Sequence, residues 1–492
     1  MSEVQIYSGI IRQMAVAVWN LKSQIEKYKN QEVFDCLVAE FLLSDGRIVH
    51  GEEDILKKYE VANLDELAQK QQEKLKELPE LYKLFLDIEM PLISVLKKME
   101  DVGITLDVDS LKKVGEEIEK AIVLCVDEIK KEVGFEINLN SSVQVGNFLA
   151  EKAGVPLKKT KTGRYATNEN ELSQFAKDFP IIQKLLTYRE LSKLRSTYVE
   201  SLIGKVDDGG RVHTTYNQVA VSTGRLSSTN PNLQNIPVTS EFGLKIKSCF
   251  VASKGKTFLS FDYSQQELRI LAHLTGEGKL IEAFNEKRDV HTTTASQLFS
   301  VEYKDVTHDQ RMVAKTVNFG IIYGMSSYGM SSGLTIPVEE AQTFINTFYT
   351  TYPAIRTYYD NYIRQGKIDG YVQTLLGRRR YVYEYPGQKF IDNGMRRVLM
   401  NYPIQGTAAD LMRLAMVQIQ KDILDNDPTI KMLLQIHDDL VFEVPDDPSK
   451  IEEVIKSVRK IMCTVYPLKV PIEVDVKMGK KWGEMEKLTE KK

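Results

Sequence analysis

The amino-acid sequence predicts an α+β protein, in which helices dominate the first part of the chain and a mixed region of strands and helices follows. Lys, Glu and Leu recur at helical spacing across residues 31–83. The pattern changes at residues 207–210, Asp-Asp-Gly-Gly, which are typical of a tight turn, and Val, Thr and Tyr then alternate as in a strand. Further strands are predicted at residues 257–263, 432–436, 440–444 and 472–476.

Composition limits the class of protein before any motif is considered. The 492 residues exceed the usual size of one domain, so we expect several domains. Hydrophobic residues make up 42% and charged residues 27%, which is ordinary for a globular chain and excludes a mostly disordered or collagen-like protein. With 65 Lys and Arg against 68 Asp and Glu, the net charge is −3, so any nucleic-acid binding must rest on local positive patches.

Cysteine usage and hydropathy favour a soluble protein of a reducing compartment. The cysteines form no Cys-x-x-Cys pair, so neither a zinc site nor a disulfide framework is predicted for Cys36, Cys125, Cys249 and Cys463. No stretch reaches the roughly 18 consecutive apolar residues of a membrane-spanning helix, and the chain does not start with a basic leader and a cleavage site. We therefore expect a cytoplasmic protein without a membrane partner.

The segment around Asp262 is the first candidate for chemistry. Side-chain alternation places Phe258, Ser260 and Asp262 on one face of a strand, with Asp262 at its end. Ser264 and Glu267 match a capping box, which predicts that a helix begins immediately afterwards. A carboxylate beside the positive end of a helix suits a site for phosphate and metal, although a solvated Asp next to a helix cap explains the same pattern.

A second candidate lies in residues 432–444, where apolar runs flank His437-Asp438-Asp439 and predict a β-hairpin with acids at its tip. Turn chemistry alone explains adjacent Asp residues about equally well. If Asp438 lay about 4 Å from Asp262, the two carboxylates would repel by roughly 4 kcal/mol at an effective dielectric near 20 and would need cations. Mg²⁺ suits such a pair, because phosphates and water complete its coordination. Sequence spacing does not show whether the two strands are neighbours.

A third candidate is a helix after Thr307 that carries cations and aromatic residues on one stripe. Thr307 and Gln310 match a second capping box. The residues at successive i+4 steps are Arg311, Lys315, Phe319 and Tyr323. Such a stripe can grip a polyphosphate at one end and stack on a base or sugar at the other, whereas surface cations that run into core aromatics are the alternative.

Two further segments carry hydrogen-bonding side chains that can line a nucleic acid. The first, residues 223–235, includes Arg225, Asn232, Gln234 and Asn235. The second places Asn401 and Gln405 near a helix start predicted at residues 406–410. Turn and cap chemistry explains the same residues, and composition does not separate the two interpretations.

Together these segments resemble the family A DNA polymerases, the family of bacterial DNA polymerase I, from about residue 90 to residue 482. Residues 262–269, Asp-Tyr-Ser-Gln-Gln-Glu-Leu-Arg, are similar to the family's motif A, residues 311–324 to motif B, and residues 437–439 to motif C. The resemblance implies that a primer 3′-hydroxyl attacks the α-phosphate of a deoxynucleoside triphosphate and that pyrophosphate leaves. It implies primer-template DNA and deoxynucleoside triphosphates as partners, two Mg²⁺ ions as cofactors with Mn²⁺ as an alternative, and a monomer.

The resemblance also implies a right-hand polymerase fold with a palm sheet and helical fingers and thumb. The expected divisions are an exonuclease-like region at 1–85, a thumb at 86–205, a palm at 206–270 and 405–492, and fingers at 271–404. Because the first 30 residues contain only Glu3 and Glu26 as acids, we expect the N-terminal region to be vestigial and to lack proofreading. We also expect no 5′-nuclease domain. A bacterial cytoplasm, at the nucleoid, is expected, and an organellar or viral source stays open.

The resemblance assigns roles to individual residues. The implied catalytic residues are Asp262, Asp438 and Lys315, and the implied metal ligands are Asp262, Asp438 and the backbone carbonyl of Tyr263. Asp439 stands where the family usually has Glu, which leaves its own metal contact open. The implied nucleotide-binding residues are Gln265, Glu267, His291, Arg311, Lys315, Phe319 and Tyr323. The implied DNA contacts are Arg225, Asn232, Gln234, Asn235, Arg397, Asn401, Gln405 and His437.

Within the nucleotide site, the resemblance implies that Glu267 excludes a ribose 2′-hydroxyl. Gln266 departs from the family, which more often has an apolar residue there, with no evident consequence. A single-subunit RNA polymerase shares the hand and the Arg-x3-Lys element, but Glu267 and Tyr323 argue against it. A catalytically inactive DNA-binding protein is disfavoured because the candidate metal ligands and triphosphate-binding cations are intact.

Overall fold

A five-stranded antiparallel sheet with helices packed against it is the centre of the fold. The structure is a computed structural model and describes residues 15–28, 30–46, 51–238, 240–382 and 393–488. The predicted α+β class is confirmed, since helices dominate the region before the sheet and separate its strands afterwards. Glu3, one of the two acids behind the expectation of no proofreading, lies outside the described residues.

The region before residue 205 is mostly helical, as the sequence predicts. Two short strands, Val16–Val18 and Val33–Asp35, pair in parallel, and the 3-10 helix Leu21–Tyr28 lies between them in the chain. The α-helices of this region are Cys36–Leu43, Glu52–Tyr59, Leu64–Lys76, Pro79–Leu84, Met90–Val102, Val108–Val133, Ser142–Asn147, Glu169–Ser173, Pro180–Lys193 and Ser201–Ile203. Short π-helical segments continue some of them, at Phe85–Glu89, Phe148–Lys152 and Leu194–Glu200.

Acidic residues of the N-terminal region stabilise its own fold. The carboxylate of Asp35 caps the helix Cys36–Leu43 by accepting a hydrogen bond from the N–H of Leu37 (2.9 Å), and it also accepts from the N–H of Leu21 (2.6 Å). Glu40 is buried and forms an ion pair with a lysine of the next helix (2.6 Å). Both carboxylates, those of Asp35 and Glu40, therefore have partners within the N-terminal region. The expectation that this region lacks exonuclease chemistry stays a prediction.

The alternating segment after residue 210 forms two short strands and lies outside the central sheet. Arg211–Val212 pairs with Ile104–Thr105, and Thr215–Asn217 pairs with Ser227–Thr229. His213 and Thr214 lie between these two strands, and the buried Thr214 hydroxyl is 2.6 Å from the Ser228 hydroxyl. The turn predicted at 207–210 is present, and the alternating segment after it is divided between two short strands.

The central sheet joins one strand from the middle of the chain to strands near its end. Its members are β1 (Lys256–Tyr263), β2 (Lys431–Ile436), β3 (Asp439–Pro445), β4 (Val474–Gly479) and β5 (Glu486–Lys487). Their order is β2-β3-β1-β4-β5. Strand β1 is buried on both faces, since Leu259 and Phe261 pack in one core cluster and Phe258 packs in another. The first three predicted strands are confirmed, and the fourth starts at Val474 instead of residue 472.

The helices that follow β1 carry most of the predicted site. Four are used below: α1 (Gln266–Thr275), α2 (Val290–Phe299), α3 (His308–Ile322) and α4 (Asn393–Ile419). The other α-helices of the second half are Glu241–Ser248, Gly278–Asn285, Ser327–Leu334, Val338–Thr351, Pro353–Asp369 and Pro448–Thr464. A small hairpin pairs Tyr371–Gln373 with Arg379–Tyr381.

Helix α4 corrects one prediction from sequence. The helix start expected at residues 406–410 is wrong, because those residues lie inside a helix of 27 residues that also contains Asn401, Pro403 and Gln405. Burial of Tyr402 in the main core favours a continuous helix over a break at the proline. The same helix runs across the division expected between residues 404 and 405, and the domain divisions stay predictions.

A buried group of charges joins the N-terminal helices to α4. Glu89 accepts two hydrogen bonds from Arg413 (both 2.6 Å) and one from Arg378. Arg378 also donates to Asp410 (2.7 Å), and each of these four side chains is at most 2% exposed. Burial alone would raise the pKa of Glu89, but the two guanidinium groups lower it to about 2. The group therefore acts as a charged link between two distant parts of the sequence.

We expect Glu89→Ala to lower the free energy of unfolding by about 3–5 kcal/mol, because it leaves two buried guanidinium groups with a single carboxylate. Urea unfolding followed by circular dichroism measures the change. Glu136→Ala is the control, since Glu136 is 82% exposed and pairs with Lys130 (2.6 Å) at the surface, where ion pairs contribute little. Equal unfolding midpoints for the two variants would contradict a structural role for the buried group.

Candidate functional site

Strand register brings Asp262 and the acidic hairpin together. In the β1–β3 ladder, Asp262 lies opposite Asp439, and the N–H of Tyr263 donates to the carbonyl of Asp438 (3.0 Å). His437 and Asp438 form the turn between β2 and β3, and His437 has the left-handed φ of 54° that such a turn favours. The predicted hairpin is confirmed. Strands β1 and β3 are neighbours in the sheet, which the sequence spacing alone did not show.

The three carboxylates at this sheet end repel one another. Burial, followed by the charges of Asp439 and Asp438, raises the pKa of Asp262 to about 7. Burial also raises the pKa of Asp438 and of Asp439. The Ser260 hydroxyl donates to the carboxylate of Asp439, lying 2.7 and 2.8 Å from its two oxygens. Within the described ranges, neither Asp262 nor Asp438 forms an ion pair with Lys or Arg.

This donor set fits a divalent cation. Asp262 and Asp438 lie at one end of the sheet, and neither has a direct ion-pair partner among the described residues, although the charges of Lys477 and Arg225 act on them. Mg²⁺ takes one or two such carboxylates and completes its shell with water and phosphate oxygens. In the part of the chain that the structure describes, no group of three or more His, Cys, Asp or Glu side chains is arranged to hold a metal ion. The carboxylate of Asp439 has one hydrogen-bond donor in the Ser260 hydroxyl.

A pocket of about 340 Å³ opens beside Asp438 and collects residues from all three candidate segments. The lining residues are Arg225, Tyr263, Gln265, Gln266, Glu267, His291, Arg311, Lys315, Phe319, Tyr323 and Asp438. Asp262 is not in the lining and lies at the adjoining end of β1. Side chains separated by more than 200 positions in the sequence, such as Arg225 and Asp438, thus surround one cavity.

Helix α3 supplies the cationic and aromatic side of the pocket. Its predicted capping box is confirmed, with the Gln310 N–H donating to the Thr307 hydroxyl (3.2 Å) and the Thr307 N–H to the Gln310 side chain (2.9 Å). The rings of Phe319 and Tyr323 stack with centroids 6.3 Å apart at an angle of 23°. All four residues of the predicted stripe line the pocket, so the stripe faces a cavity and is not a simple transition from surface to core.

Asp289, which no sequence motif singled out, orients Arg311. The Nε and Nη2 atoms of Arg311 donate to the two carboxylate oxygens of Asp289 (3.1 and 2.7 Å). The same carboxylate caps α2 by accepting from the N–H of Thr292 (2.7 Å). Although burial opposes it, hydrogen bonds from Arg311 and Thr292 lower the pKa of Asp289 to about 2. Asp289 precedes the apolar Val290, which is an ordinary N-cap position and could have indicated the helix start, but it carries no signal for the pair with Arg311.

His291, on the first turn of α2, lies buried between the cations and the aromatic rings. Burial lowers its pKa to about 4, so the imidazole is neutral at pH 7. The Asn318 amide donates to its Nδ1 atom (3.0 Å), which places the imidazole hydrogen on Nε2. His291 therefore offers the pocket a neutral N–H donor and not a third positive charge.

Glu267 faces the pocket and does not form the capping box that was predicted for Ser264 and Glu267. The carboxylate of Glu267 instead accepts hydrogen bonds from Arg225 Nη2 (2.7 Å) and from the Tyr323 hydroxyl (2.5 Å). The N–H of Ser264 donates to a backbone carbonyl next to β4 (2.9 Å), and α1 starts after Gln265, which has a left-handed φ of 52° and makes no side-chain cap. Burial raises the pKa of Glu267.

Several buried polar atoms in and beside the pocket have no hydrogen-bond partner. Among the residues described, Gln265 Oε1, both amide atoms of Gln266, Asn318 Oδ1 and Asn401 Oδ1 have no hydrogen-bond partner. Asn401 adjoins the pocket through its Nδ2 atom, which lies 3.5 Å from the Tyr323 carbonyl. Because buried polar groups are normally hydrogen bonded, these atoms are available to water or to a polar ligand in the pocket.

The residues expected to contact DNA divide between the pocket and the surface near it. Arg225 lies in the pocket. The Gln234 amide donates to the carbonyl and Oε1 of Gln435 (both 3.1 Å), and the Gln435 amide donates to the His437 carbonyl (2.6 Å), which ties the loop to the hairpin. Gln435 carried no sequence signal beyond its place in a strand. The remaining members are exposed or partly exposed: Asn232, Asn235, Arg397, Asn401 and Gln405.

Comparison with known sequences finds one matching family and several relatives. The sequence model of DNA polymerase family A matches residues 108–484. The thermostable DNA polymerase I of Thermus aquaticus is 43% identical over 403 residues, 81% of this chain and 48% of that protein. DNA polymerase I of Chloroflexus aurantiacus is 41% identical over 429 residues, 86% of this chain and 45% of that protein. The chain therefore spans about half the length of the curated relatives it matches.

Comparison with solved structures finds the same fold. The POL domain of Pol1 from M. smegmatis, in complex with DNA primer-template and dNTP, matches with a TM-score of 0.87 and 34% sequence identity. The match covers 93% of this chain and 83% of that one. The predicted right-hand fold is thereby confirmed. Among the described helices, none has the length and hydropathy needed to cross a bilayer.

We expect Mg²⁺ to raise the thermal unfolding midpoint, because a cation held by Asp262 and Asp438 offsets their repulsion; binding at 100 times Kd stabilises by about 2.7 kcal/mol. Asp262→Asn removes a buried charge, so this variant should be at least as stable as wild type without metal and should lose most of the Mg²⁺ response. Differential scanning calorimetry measures both. Asp101→Asn, at an exposed position, is the control. A full Mg²⁺ response in Asp262→Asn would rule out this site.

Proposed function

The chain belongs to DNA polymerase family A, and from this membership and its pocket we infer that it is a template-directed DNA polymerase. It extends a primer by joining the primer 3′-hydroxyl to the α-phosphate of a deoxynucleoside triphosphate, with release of pyrophosphate. The observation that carries this proposal is the convergence of three separate segments on one pocket beside two buried, mutually repelling carboxylates. Divalent metals are general in the family, and this pocket end has the oxygen ligands they require.

Asp262 and Asp438 are the proposed metal ligands, with the backbone of Tyr263 beside them. Bound Mg²⁺ ions supply Lewis acidity at the attacking and leaving oxygens of such a displacement. The two carboxylates contribute a fixed position for that charge, because β1 and β3 hold their backbones through a continuous ladder. Asp439 stays bonded to Ser260 and acts as an additional negative charge and not as a ligand.

Arg311, Lys315 and His291 form the proposed triphosphate site. The pair with Asp289 uses one edge of the Arg311 guanidinium, Nε and Nη2, and leaves its other N–H groups for phosphate oxygens. Lys315, one turn further along α3, lines the same pocket, where its amino group is proposed to contact the phosphate oxygens. His291 adds a neutral N–H donor, so it binds phosphate oxygen without increasing the positive charge of the ligand-free pocket.

Glu267, Tyr323 and Phe319 form the proposed sugar and base site. Because Arg225 and Tyr323 both hydrogen bond to Glu267, its carboxylate is held in one position against the pocket. A ribose 2′-hydroxyl meets this fixed, buried group and is excluded, while a deoxyribose is accommodated. This proposed selection of deoxynucleotides over ribonucleotides argues against an RNA polymerase.

Primer-template DNA is the proposed second partner. The structurally similar POL domain from M. smegmatis is in complex with primer-template and dNTP, which supports the same partners here. The proposed DNA contacts are Arg225, Asn232, Gln234, Asn235, Arg397, Asn401, Gln405 and His437. They connect the loop 223–235, the hairpin turn and α4, three elements that border the pocket. The expected thumb, palm and fingers divisions are proposed with these contacts.

We expect Asp438→Ala to reduce primer extension by about 10³-fold or more, because it removes a charge that holds the metal. Extension with Mg²⁺ and all four deoxynucleotides measures the rate, and circular dichroism verifies folding. Asp475→Ala is the matched control, since Asp475 also lies opposite Asp262 in the sheet but pairs with Lys487 (2.9 Å) outside the pocket. Near-normal extension by folded Asp438→Ala would remove the assignment.

We expect Glu267→Ala to lower the preference for deoxynucleotides over ribonucleotides by about 10- to 100-fold, because space for a 2′-hydroxyl opens beside the sugar. The ratio of kcat/KM for the two nucleotide types measures the preference. Tyr323→Phe serves as the comparison, since it removes only the hydroxyl that bonds to Glu267 and should have a smaller effect. If the ratio does not change in Glu267→Ala, the proposed role in sugar selection is wrong.

A further inference from the structure

Gln266 is buried at the pocket with its side-chain amide unused. The residue is 3% exposed, lines the pocket and is the first residue of α1. Neither its Nε2 nor its Oε1 atom has a hydrogen-bond partner among the residues that the structure describes. Its neighbour Glu267 is equally buried, but the oxygens of Glu267 are bonded to Arg225 and Tyr323. The protein therefore provides hydrogen-bond partners for the side chain of Glu267 but not for that of Gln266.

An unpaired amide at this position is unfavourable for the ligand-free protein. A buried donor and acceptor that lose water without gaining partners carry the full desolvation penalty. A Leu of similar volume would fill the same space without that penalty. The start of α1 uses no side-chain cap, so the helix does not require an amide here. A polar group of a bound ligand can supply the missing partner.

The position of Gln266 indicates which part of a ligand it meets. The charged end of the pocket belongs to Arg311 and Lys315 on α3. Gln266 directly precedes Glu267, which bonds to Tyr323 at the opposite, aromatic end. A neutral amide both donates and accepts, which matches the hydroxyl, carbonyl and ring-nitrogen groups of a nucleoside better than the charged oxygens of a triphosphate.

We propose that the Gln266 amide hydrogen bonds to the nucleoside part of the incoming deoxynucleoside triphosphate and contributes to its binding. The inference rests on the proposed polymerase function and adds a nucleotide contact to it.

Gln266→Leu tests the proposal, because Leu keeps the volume and removes both the donor and the acceptor. Without ligand, this variant should have a higher thermal unfolding midpoint than wild type. In primer extension, its KM for deoxynucleotides should rise about 5- to 10-fold, the effect of losing one hydrogen bond to a neutral group. Inhibition by inorganic pyrophosphate, which has no nucleoside, should not change. Gln266→Met gives the same comparison if the Leu variant does not fold.

Gln71→Leu is the matched control for the unfolding midpoint. Gln71 is fully buried far from the pocket, and its amide donates to the Cys36 carbonyl (3.2 Å) and to Glu40 (3.1 Å), so its loss should lower the midpoint. A raised midpoint with unchanged KM in Gln266→Leu would overturn the proposal, and so would an equal loss of pyrophosphate inhibition. If the wild-type protein extends no primer, the proposed polymerase function is wrong, and the proposed Gln266 contact is wrong as well.

Discussion

The antiparallel pairing of β1 with β3 is the constraint on which the rest of the site depends. It places Asp262 opposite Asp439 and sets Asp438 at the tip of the adjoining hairpin. Since burial and like charges raise the pKa of Asp262 to about 7, the sheet end is electrostatically unfavourable without a cation. The backbone hydrogen bonds between β1 and β3 keep these carboxylates close to one another despite their repulsion. The proposed divalent-metal site therefore depends on the register between β1 and β3.

Two groups of buried charges in this protein have opposite electrostatic outcomes. Glu89 is fully buried, yet Arg413 and Arg378 hold its pKa at about 2, so its charge is neutralised by the protein alone. Asp262 is only partly buried, but it has no ion-pair partner among the described residues, and its pKa is raised. The first arrangement joins the N-terminal helices to α4, and the second leaves a charge for a ligand to neutralise. Unsatisfied charge in a pocket is typical of functional sites.

The pocket is organised in advance by residues that hold its binding groups. Asp289 connects α2 and α3, because it caps one helix and pairs with Arg311 on the other. Glu267 connects the loop of Arg225 to the end of α3 through Tyr323. Side chains held in this way lose less conformational entropy when a ligand binds. The unpaired amides of the same pocket are the groups that the proposed nucleotide ligand would have to satisfy.

Local patterns in the sequence determined the strands β1, β2 and β3, the hairpin at Asp438 and the capping box at Thr307, because each depends on neighbours a few positions away. The stripe on α3 was equally readable from helical spacing. Glu267 was misassigned as a cap, since its true partners lie 42 and 56 positions away in the chain. Only the tertiary structure decided that Asp262 meets Asp438, that Asp289 holds Arg311 and that Gln266 faces the pocket unpaired. Those facts depend on long-range packing, and no short stretch of sequence encodes which distant side chain becomes a neighbour.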